Sequence, residues 1–257
     1  NLWEQVAKFR AGRRLWAKIM KERYGAKSPK AMQLRMIAGG GGAGLTVEQP
    51  LNNLVRSAYY ALASALSGTQ TMALCSYDEA YTIPSEQAAK LSLRTMQILM
   101  TEIGACDTVD PLAGSYFVES TTDEMEQRIV ALMDRLDAEG GIVKAIAEGR
   151  VQADVSRQAY EQKQRVEAGD SQKVGVNCFV DDEKGPEVEF HPYRREEAEK
   201  QIARLAKVRA ERNTADVERT LEAVRAAAEG GQNVMPAVIA AVKAYATVGE
   251  ICRALRQ

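Results

Sequence analysis

Residues 68–85 read G-T-Q-T-M-A-L-C-S-Y-D-E-A-Y-T-I-P-S, and they place two adjacent carboxylates, Asp78 and Glu79, directly after a short apolar run. Residues 71–75 are partly β-branched and bounded by Gly68 and the polar Ser76-Tyr77-Asp78-Glu79, which predicts a buried strand running into a loop. Pro84 and Ser85 then open a helix. Strand, acidic loop and capped helix in that order form one unit of a parallel α/β sheet, where function sits at the carboxyl ends of strands. The second stretch of interest is Gly39-Gly40-Gly41-Gly42. Ordering four glycines costs much backbone entropy, so main chain is expected to pass close to something there, a ligand or another strand. No Lys-Ser or Lys-Thr follows, so this is not a P-loop.

The other reactive side chains argue against several common chemistries. His191, the single histidine, lies in a polar connection with no Cys, Asp or Glu at ligand spacing and is expected at the surface. Without a Ser-His or Cys-His arrangement near the strand ends, ordinary hydrolytic catalysis has no basis. Cys75, Cys106, Cys178 and Cys252 are widely spaced with no C-x-x-C; they read as buried free thiols rather than a zinc site or a disulfide framework. No residue is assigned to a metal. No run approaches the roughly 20 apolar residues of a membrane span, and nothing near Asn1 resembles a signal peptide, so a soluble, cytoplasmic protein is expected. The formal net charge is −1, yet residues 1–35 carry ten Lys or Arg against two Asp or Glu. Lacking interleaved aromatics or a recognisable module, this stretch reads as a solvated helix face and not as a nucleic-acid surface, with a phosphate-bearing ligand or an acidic partner as the alternative.

The elements that must position these residues follow from periodicity. Leu2, Val6, Phe9, Gly12, Trp16 and Ile19 recur every three to four residues and predict an amphipathic helix over 1–24, stopped by Gly25. Residues 32–38 read as a strand leading into the glycines. Pro50 opens a helix with an apolar stripe of Leu51, Leu54, Val55, Ala58, Leu62 and Leu66. After Ser85 comes a helix burying Ala88, Leu91, Thr95, Ile98 and Leu99 and ending before Gly104. A third extended segment is expected within 108–118, broken by Asp110-Pro111 and Gly114, and Thr121-x-x-Glu124 reads as a capping box opening another helix. Three extended segments about 38 residues apart, each followed by a helix, have the rhythm of βα units with right-handed crossovers. Three parallel strands cannot close a barrel, and a parallel sheet must be covered on both faces, so further strands are expected upstream of Asn1, on a longer chain or on a partner. Beyond Gly140-Gly141 the pattern turns helical over 142–149, 153–168, 194–213, 215–229 and 234–256. Between these, 173–179 reads as extended and 181–193 as a polar connection with Gly185-Pro186 and Pro192.

Several motifs then stand in one order: Arg10-Ala11-Gly12-Arg13-Arg14-Leu15-Trp16-Ala17-Lys18, Leu45-Thr46, Asn52-Asn53-Leu54-Val55-Arg56, Tyr77-Asp78-Glu79-Ala80, Asp110-Pro111-Leu112-Ala113-Gly114-Ser115-Tyr116, Val174-Gly175-Val176-Asn177 and Ala246-Thr247-Val248-Gly249-Glu250. Together they resemble the large catalytic subunit of the methylmalonyl-CoA mutase family over essentially the whole chain. The resemblance implies an α/β fold: over residues 1–139 the C-terminal portion, about three βα units, of a (β/α)8 TIM-type barrel, and over 140–257 a mainly helical post-barrel segment. It implies an acyl-CoA substrate threaded through the barrel and adenosylcobalamin at the carboxyl ends of the strands. There, homolysis of the cobalt–carbon bond gives a 5′-deoxyadenosyl radical that abstracts a substrate hydrogen, so that a group migrates to the neighbouring carbon. The cofactor supplies the radical chemistry, and the protein supplies position and shielding. No D-x-H-x-x-G cobalamin-binding signature occurs in the chain; a cobalamin-binding small subunit or domain would bring the cobalt ligand, and a second mutase subunit is an expected partner.

By the same resemblance the family's glutamate beside the adenosine falls on Glu79 and its pair against the corrin on Gly42-Ala43, with Ala80 and Ile83 nearby. These five are the expected cofactor-binding residues. Read on its own, Glu79 is a strand-end carboxylate capping the following helix. The family's residues that contact the thioester and CoA would precede Asn1, and no catalytic residue is assigned within this chain. Two departures bear on substrate: the family's H-x-Q-T-S-G reads Ile37-Ala38-Gly39-Gly40-Gly41-Gly42, and its L-H-x-N reads Met72-Ala73-Leu74-Cys75. Each puts a smaller or apolar group in place of a polar or bulky one, which either widens the pocket for an acyl group other than methylmalonyl or marks a mutase-like subunit that does not catalyse. The expected activity is radical 1,2-rearrangement of an acyl-CoA carbon skeleton, an isomerase reaction, by part of a large subunit. The alternatives are the non-catalytic mutase-like subunit and a helical interaction module.

Overall fold

The computed structural model describes residues 1–39, 41–105, 107–181 and 188–256; Gly40, Cys106 and Gly185-Pro186 lie outside them. The chain divides into two compact units, Asn1–His191 and Pro192–Gln257. Among the described residues no helix is long and apolar enough to cross a membrane.

The first unit begins with α1 (Leu2–Glu22), whose first turn is capped by the Asn1 side chain accepting from the Trp3 N–H at 3.0 Å. Gly25 follows with φ +64°. α1 buries Val6, Ala7, Ala11 and Leu15, a stripe rotated from the expected Phe9–Gly12–Trp16 line, and Trp16 stays 39% exposed. Alanines hold the inward positions because α1 packs along α4 (Tyr116–Ala138), and small side chains let two helices approach closely. The basic residues of α1 also meet α4 and the turn before it: Arg10 pairs with Asp110 and, at 2.6 Å, with Glu119; Arg14 with Glu126 and, at 2.7 Å, with Asp123; Lys18 with Glu126 at 2.6 Å; Arg23 with Asp137 at 3.2 Å. The expected solvated face is therefore corrected to one side of an ion-pair ladder within the chain. Single exposed pairs contribute only about 0.2–1 kcal/mol, but charges matched at 10, 14 and 18 set the register of one helix on the other.

Strands β1 (Ile37–Gly39) and β2 (Thr71–Ala73) pair in parallel, with Ile37 opposite Thr71, Ala38 opposite Met72 and Gly39 opposite Ala73. They are joined by α2 (Asn52–Leu66), and β2 is followed by α3 (Glu86–Thr101). Ser85 caps α3 through its side chain, which accepts from Ala88 N–H at 3.2 Å. This is the expected βα rhythm with two strands in place of three. The segment 108–118 is turn followed by helix: Asp110 has φ +48° and Gly114 φ +81°, and Ser115 already caps α4. Thr121 and Glu124 lie inside that helix, so the expected capping box is not used.

The face buried by α2 is the reverse of the one its apolar stripe predicts. Asn53, Ser57, Ala61 and Ser64 are inside, while Leu51 and Val55 are 51% and 56% exposed. The cause lies at the end of β2, where the ladder stops and carbonyls need donors. Ser57 Oγ donates to Cys75 O (3.1 Å), Asn53 Nδ2 to Tyr77 O (2.9 Å), and Ser92 Oγ of α3 to Leu74 O (2.8 Å). Ala61, Leu74 and Leu99 close the small apolar core beneath.

Helices α5 (Ile142–Ala147) and α6 (Arg150–Glu167) follow. The stretch 173–179, expected as extended, is a turn in which a single bridge joins Val174 and Cys178. In the second unit, α7 (Arg195–Glu211) precedes α8 (Thr214–Glu229), α9 (Met235–Lys243) and α10 (Val248–Leu255). The last three enclose Val224, Ala241, Ile251 and Ala254. The single helix expected over 234–256 is two, because Tyr245 turns to φ +63° and Thr247 with Glu250 forms a capping box.

Candidate functional site

Parallel pairing puts the loops at the carboxyl ends of β1 and β2 side by side. After β1 the chain enters Gly41 at φ +74° and a 3-10 turn, Gly42–Gly44. The close approach expected for the glycine run is made by protein: a Cβ on Gly41 would stand 2.8 Å from the Tyr60 ring, one on Gly44 2.1 Å from the Tyr60 hydroxyl, and one on Gly42 3.4 Å from Cys75 Sγ. Gly41→Ala thus combines a left-handed backbone with a ring clash and is expected to cost about 1–3 kcal/mol. Gly39→Ala, with nothing within 4 Å and no positive φ, is expected to stay within about 0.5 kcal/mol of the parent. Urea midpoints of the two variants check this, and equal midpoints would refute the packing of Tyr60 against the loop.

After β2 the loop folds on itself. Glu79 Oε1 accepts from Ser76 N–H at 2.7 Å, and Tyr81 and Thr82 N–H groups both return to Asp78 O. The helix-capping role that Glu79 offered is filled by Ser85, and its neighbour Asp78, fully buried, holds that cap residue by accepting from Ser85 N–H at 2.8 Å through Oδ2. Glu79 itself is exposed. Cys75 is held between the two loops; burial pushes its thiol up, the neighbouring Glu79 carboxylate adds to the rise, and the Gly42 backbone N–H opposes it. Tyr81 donates its hydroxyl to Val47 O and meets Phe190 edge-on at 6.3 Å between ring centroids. His191 touches the site only through its backbone N–H, which donates to Thr82 Oγ1 at 3.2 Å. Among the described residues no group of three or more His, Cys, Asp or Glu stands together.

Of the five expected residues, Gly42 and Ala43 are exposed in the first loop, and Glu79, Ala80 and Ile83 stand in the second, Ile83 66% exposed. Sequence reasoning singles out Asp78 and places Asn53 and Arg56 in a motif, but gives no bridging task to Asn53, Arg56, Ser57 or Asp78. A signal was available for two of them: Asn53 and Ser57 recur with Ser64 at helical spacing opposite the apolar stripe, a polar row with an inward task.

Two loops at the carboxyl ends of adjacent parallel strands define an α/β arrangement of the kind in which ligand sites commonly lie above the strand ends. The chain belongs to the methylmalonyl-CoA mutase family, whose profile, described as Methylmalonyl-CoA mutase, matches residues 1–257; members of that family depend in general on adenosylcobalamin. The chain is 44% identical over 257 residues to the 2-hydroxyisobutanoyl-CoA mutase large subunit of Aquincola tertiaricarbonis, covering all of this chain and 46% of that protein. It is 38% identical over 258 residues to methylmalonyl-CoA mutase of Cereibacter sphaeroides (100% of this chain, 36% of that protein), and 35% identical over 259 residues to the Escherichia coli enzyme (99% and 36%). The chain therefore spans less than half the length of these relatives.

Proposed function

We propose that this chain is part of the large subunit of an adenosylcobalamin-dependent acyl-CoA mutase, an isomerase, with residues 1–139 belonging to a (β/α)8 barrel and 140–257 following it. The observation that supports this reading is the parallel register of β1 on β2, which brings the loop of Gly42-Ala43 and the loop of Glu79-Ala80 to the same end of the strand pair, with Cys75 between them. The residues suit the cofactor's periphery. Glycine and alanine allow a flat macrocycle to approach the first loop, and Glu79, anchored through one carboxylate oxygen on Ser76, has the other for a ribose hydroxyl. Ala80 and Ile83 cover the adjoining edge. When bound, adenosylcobalamin supplies the radical chemistry; this chain's residues orient it and exclude water. The cobalt ligand comes from a cobalamin-binding small subunit or domain, a reading supported by the relative whose own name is that of a large subunit.

The acyl-CoA is proposed to be other than methylmalonyl-CoA. Ile37, Gly39, Thr71 and Ala73 are all exposed on one face of the strand pair, Gly39 facing Ala73, whereas Ala38 is buried on the other. Ile37, Gly39 and Ala73, three positions at which the chain departs from the family pattern, thus share one face, and Gly39 has nothing within 4 Å of a Cβ position. Smaller or apolar side chains at these positions suit a branched or bulkier acyl group, and a relative acts on 2-hydroxyisobutanoyl-CoA by its name. The intact large subunit, assembled with a cobalamin-binding partner and adenosylcobalamin, is expected to turn over 2-hydroxyisobutanoyl-CoA or a bulkier ester with kcat/KM at least about tenfold above that for methylmalonyl-CoA. Equal or better use of methylmalonyl-CoA would remove the substrate assignment. The absence of any substrate-dependent paramagnetic signal across an acyl-CoA panel would favour the non-catalytic subunit.

A further inference from the structure

We infer that Asn53 and Arg56, neighbours on one face of α2, are positioning residues that hold the two strand-end loops at a set spacing and tie them to the turn around Val174. Asn53 is completely buried and its carboxamide is fully used. Oδ1 accepts from Thr46 N–H (3.1 Å) and Arg56 Nη1 (2.8 Å), and Nδ2 donates to Thr46 O (2.8 Å) and Tyr77 O (2.9 Å). Thr46 closes the loop that carries Gly42 and Ala43; Tyr77 opens the loop that carries Glu79. One amide thus bridges both loops, and it does so with backbone groups, whose placement is what a loop's position consists of. Arg56, one turn further along, donates to Thr46 Oγ1 at 2.8 Å and to Val174 O at 2.7 Å.

The residue types suit the task. An amide offers two donors and two acceptors in one plane, and a buried carbonyl left without its donor is costly. A planar guanidinium with several fixed donors reaches two segments at once, which an ammonium cannot do. Asn53→Asp keeps volume and the acceptor toward Arg56 but turns lone pairs toward Thr46 O and Tyr77 O, so the loops should part without loss of bulk.

The consequence for adenosylcobalamin rests on the function proposed above, and the test separates the two. Hydrogen exchange in the intact subunit is expected to rise at least about tenfold over both 41–46 and 76–82 in Asn53→Asp, with α1, α4 and the second unit unchanged. Arg56→Lys, at a partly exposed position, is expected to loosen 41–46 and 173–178 while 76–82, still held by Asn53, keeps its protection. Binding of adenosylcobalamin, followed spectroscopically, is expected to weaken about tenfold or more in Asn53→Asp. Unchanged exchange at either loop in Asn53→Asp, or uniform loosening of the whole unit in both variants, would overturn the positioning role whatever happens to activity. Loosened loops with undiminished adenosylcobalamin binding would support the positioning role and overturn the cofactor assignment of Gly42 and Glu79.

Discussion

Replacing Glu79 with alanine is expected to lower turnover of the proposed mutase about 10- to 100-fold, the effect of losing a charged hydrogen-bond acceptor, while the fold survives. The survival follows from structure: Glu79 is exposed, and the structural carboxylate of the loop is the buried Asp78 that holds Ser85 N–H. What alanine removes is the fold-back onto Ser76 N–H and the second oxygen proposed to meet the ribose. Glu79→Gln keeps the shape and one acceptor oxygen, so it is expected to retain much more activity than Glu79→Ala, with corrin binding intact in both. Steady-state rates and adenosylcobalamin titrations of the two variants check this. If glutamine were as inactive as alanine with cofactor still bound, the charge would have a chemical task beyond position. If both variants unfolded, the division of labour between Asp78 and Glu79 would be wrong.

Arg212→Ala destabilises the second unit by about 3 kcal/mol, since removing one partner of a largely buried pair leaves the other charge uncompensated. Arg212 and Glu250 are 11% and 16% exposed and meet in a forked pair, Nη1 to Oε2 at 2.8 Å and Nη2 to Oε1 at 2.6 Å. The same arginine donates to Tyr245 O at 3.0 Å, across the bend that separates α9 from α10. Glu250 Oε2 also accepts from Thr247 N–H at 2.7 Å and its hydroxyl at 2.8 Å. The Arg212 hydrogen bond, opposed by desolvation and aided by Thr247, holds the Glu250 carboxyl far below the usual carboxylate range. A depressed folded-state pKa stabilises the protein above the unfolded value and loses that contribution as pH falls below it. The difference between parent and Arg212→Ala should therefore be full at neutral pH and shrink as the pH drops below about 4.3, the ordinary glutamate value. Exchange of the most protected amides of α8 and α10 reads it, and a difference that stays constant into strong acid would refute the pair's role.

Local signals located much of the architecture. Asn1, Gly25, Ser85 and Gly104 mark helix ends because caps and positive φ are satisfied by residues within a turn of one another, and such requirements are visible in sequence. The turn at 108–118 was not legible as such. Its short apolar letters suit a strand, whereas local turn and cap bonds, with the Arg10–Asp110 and Arg10–Glu119 pairs contributed from about a hundred residues away, hold it as the entry to α4. The basic stretch of α1 misled for the same reason, since its counter-charges lie on α4.

Composition, cap chemistry and collinear motifs by themselves determined a helix-rich α/β chain of the methylmalonyl-CoA mutase family, the strand-end address of Gly42 and Glu79, and the absence of a cobalamin-binding signature. Tertiary structure alone decided which face of α2 turns inward. An apolar stripe reports where water is excluded only when the neighbouring surface is apolar, and here it is the row of unpaired carbonyls at Leu74, Cys75 and Tyr77 that turns Asn53 and Ser57 inward and leaves Leu51 and Val55 outside. It also decided that Asp78 is buried, holding the N–H of the cap residue Ser85, while Glu79 stays exposed, because burial separates two adjacent carboxylates that the sequence presents as alike.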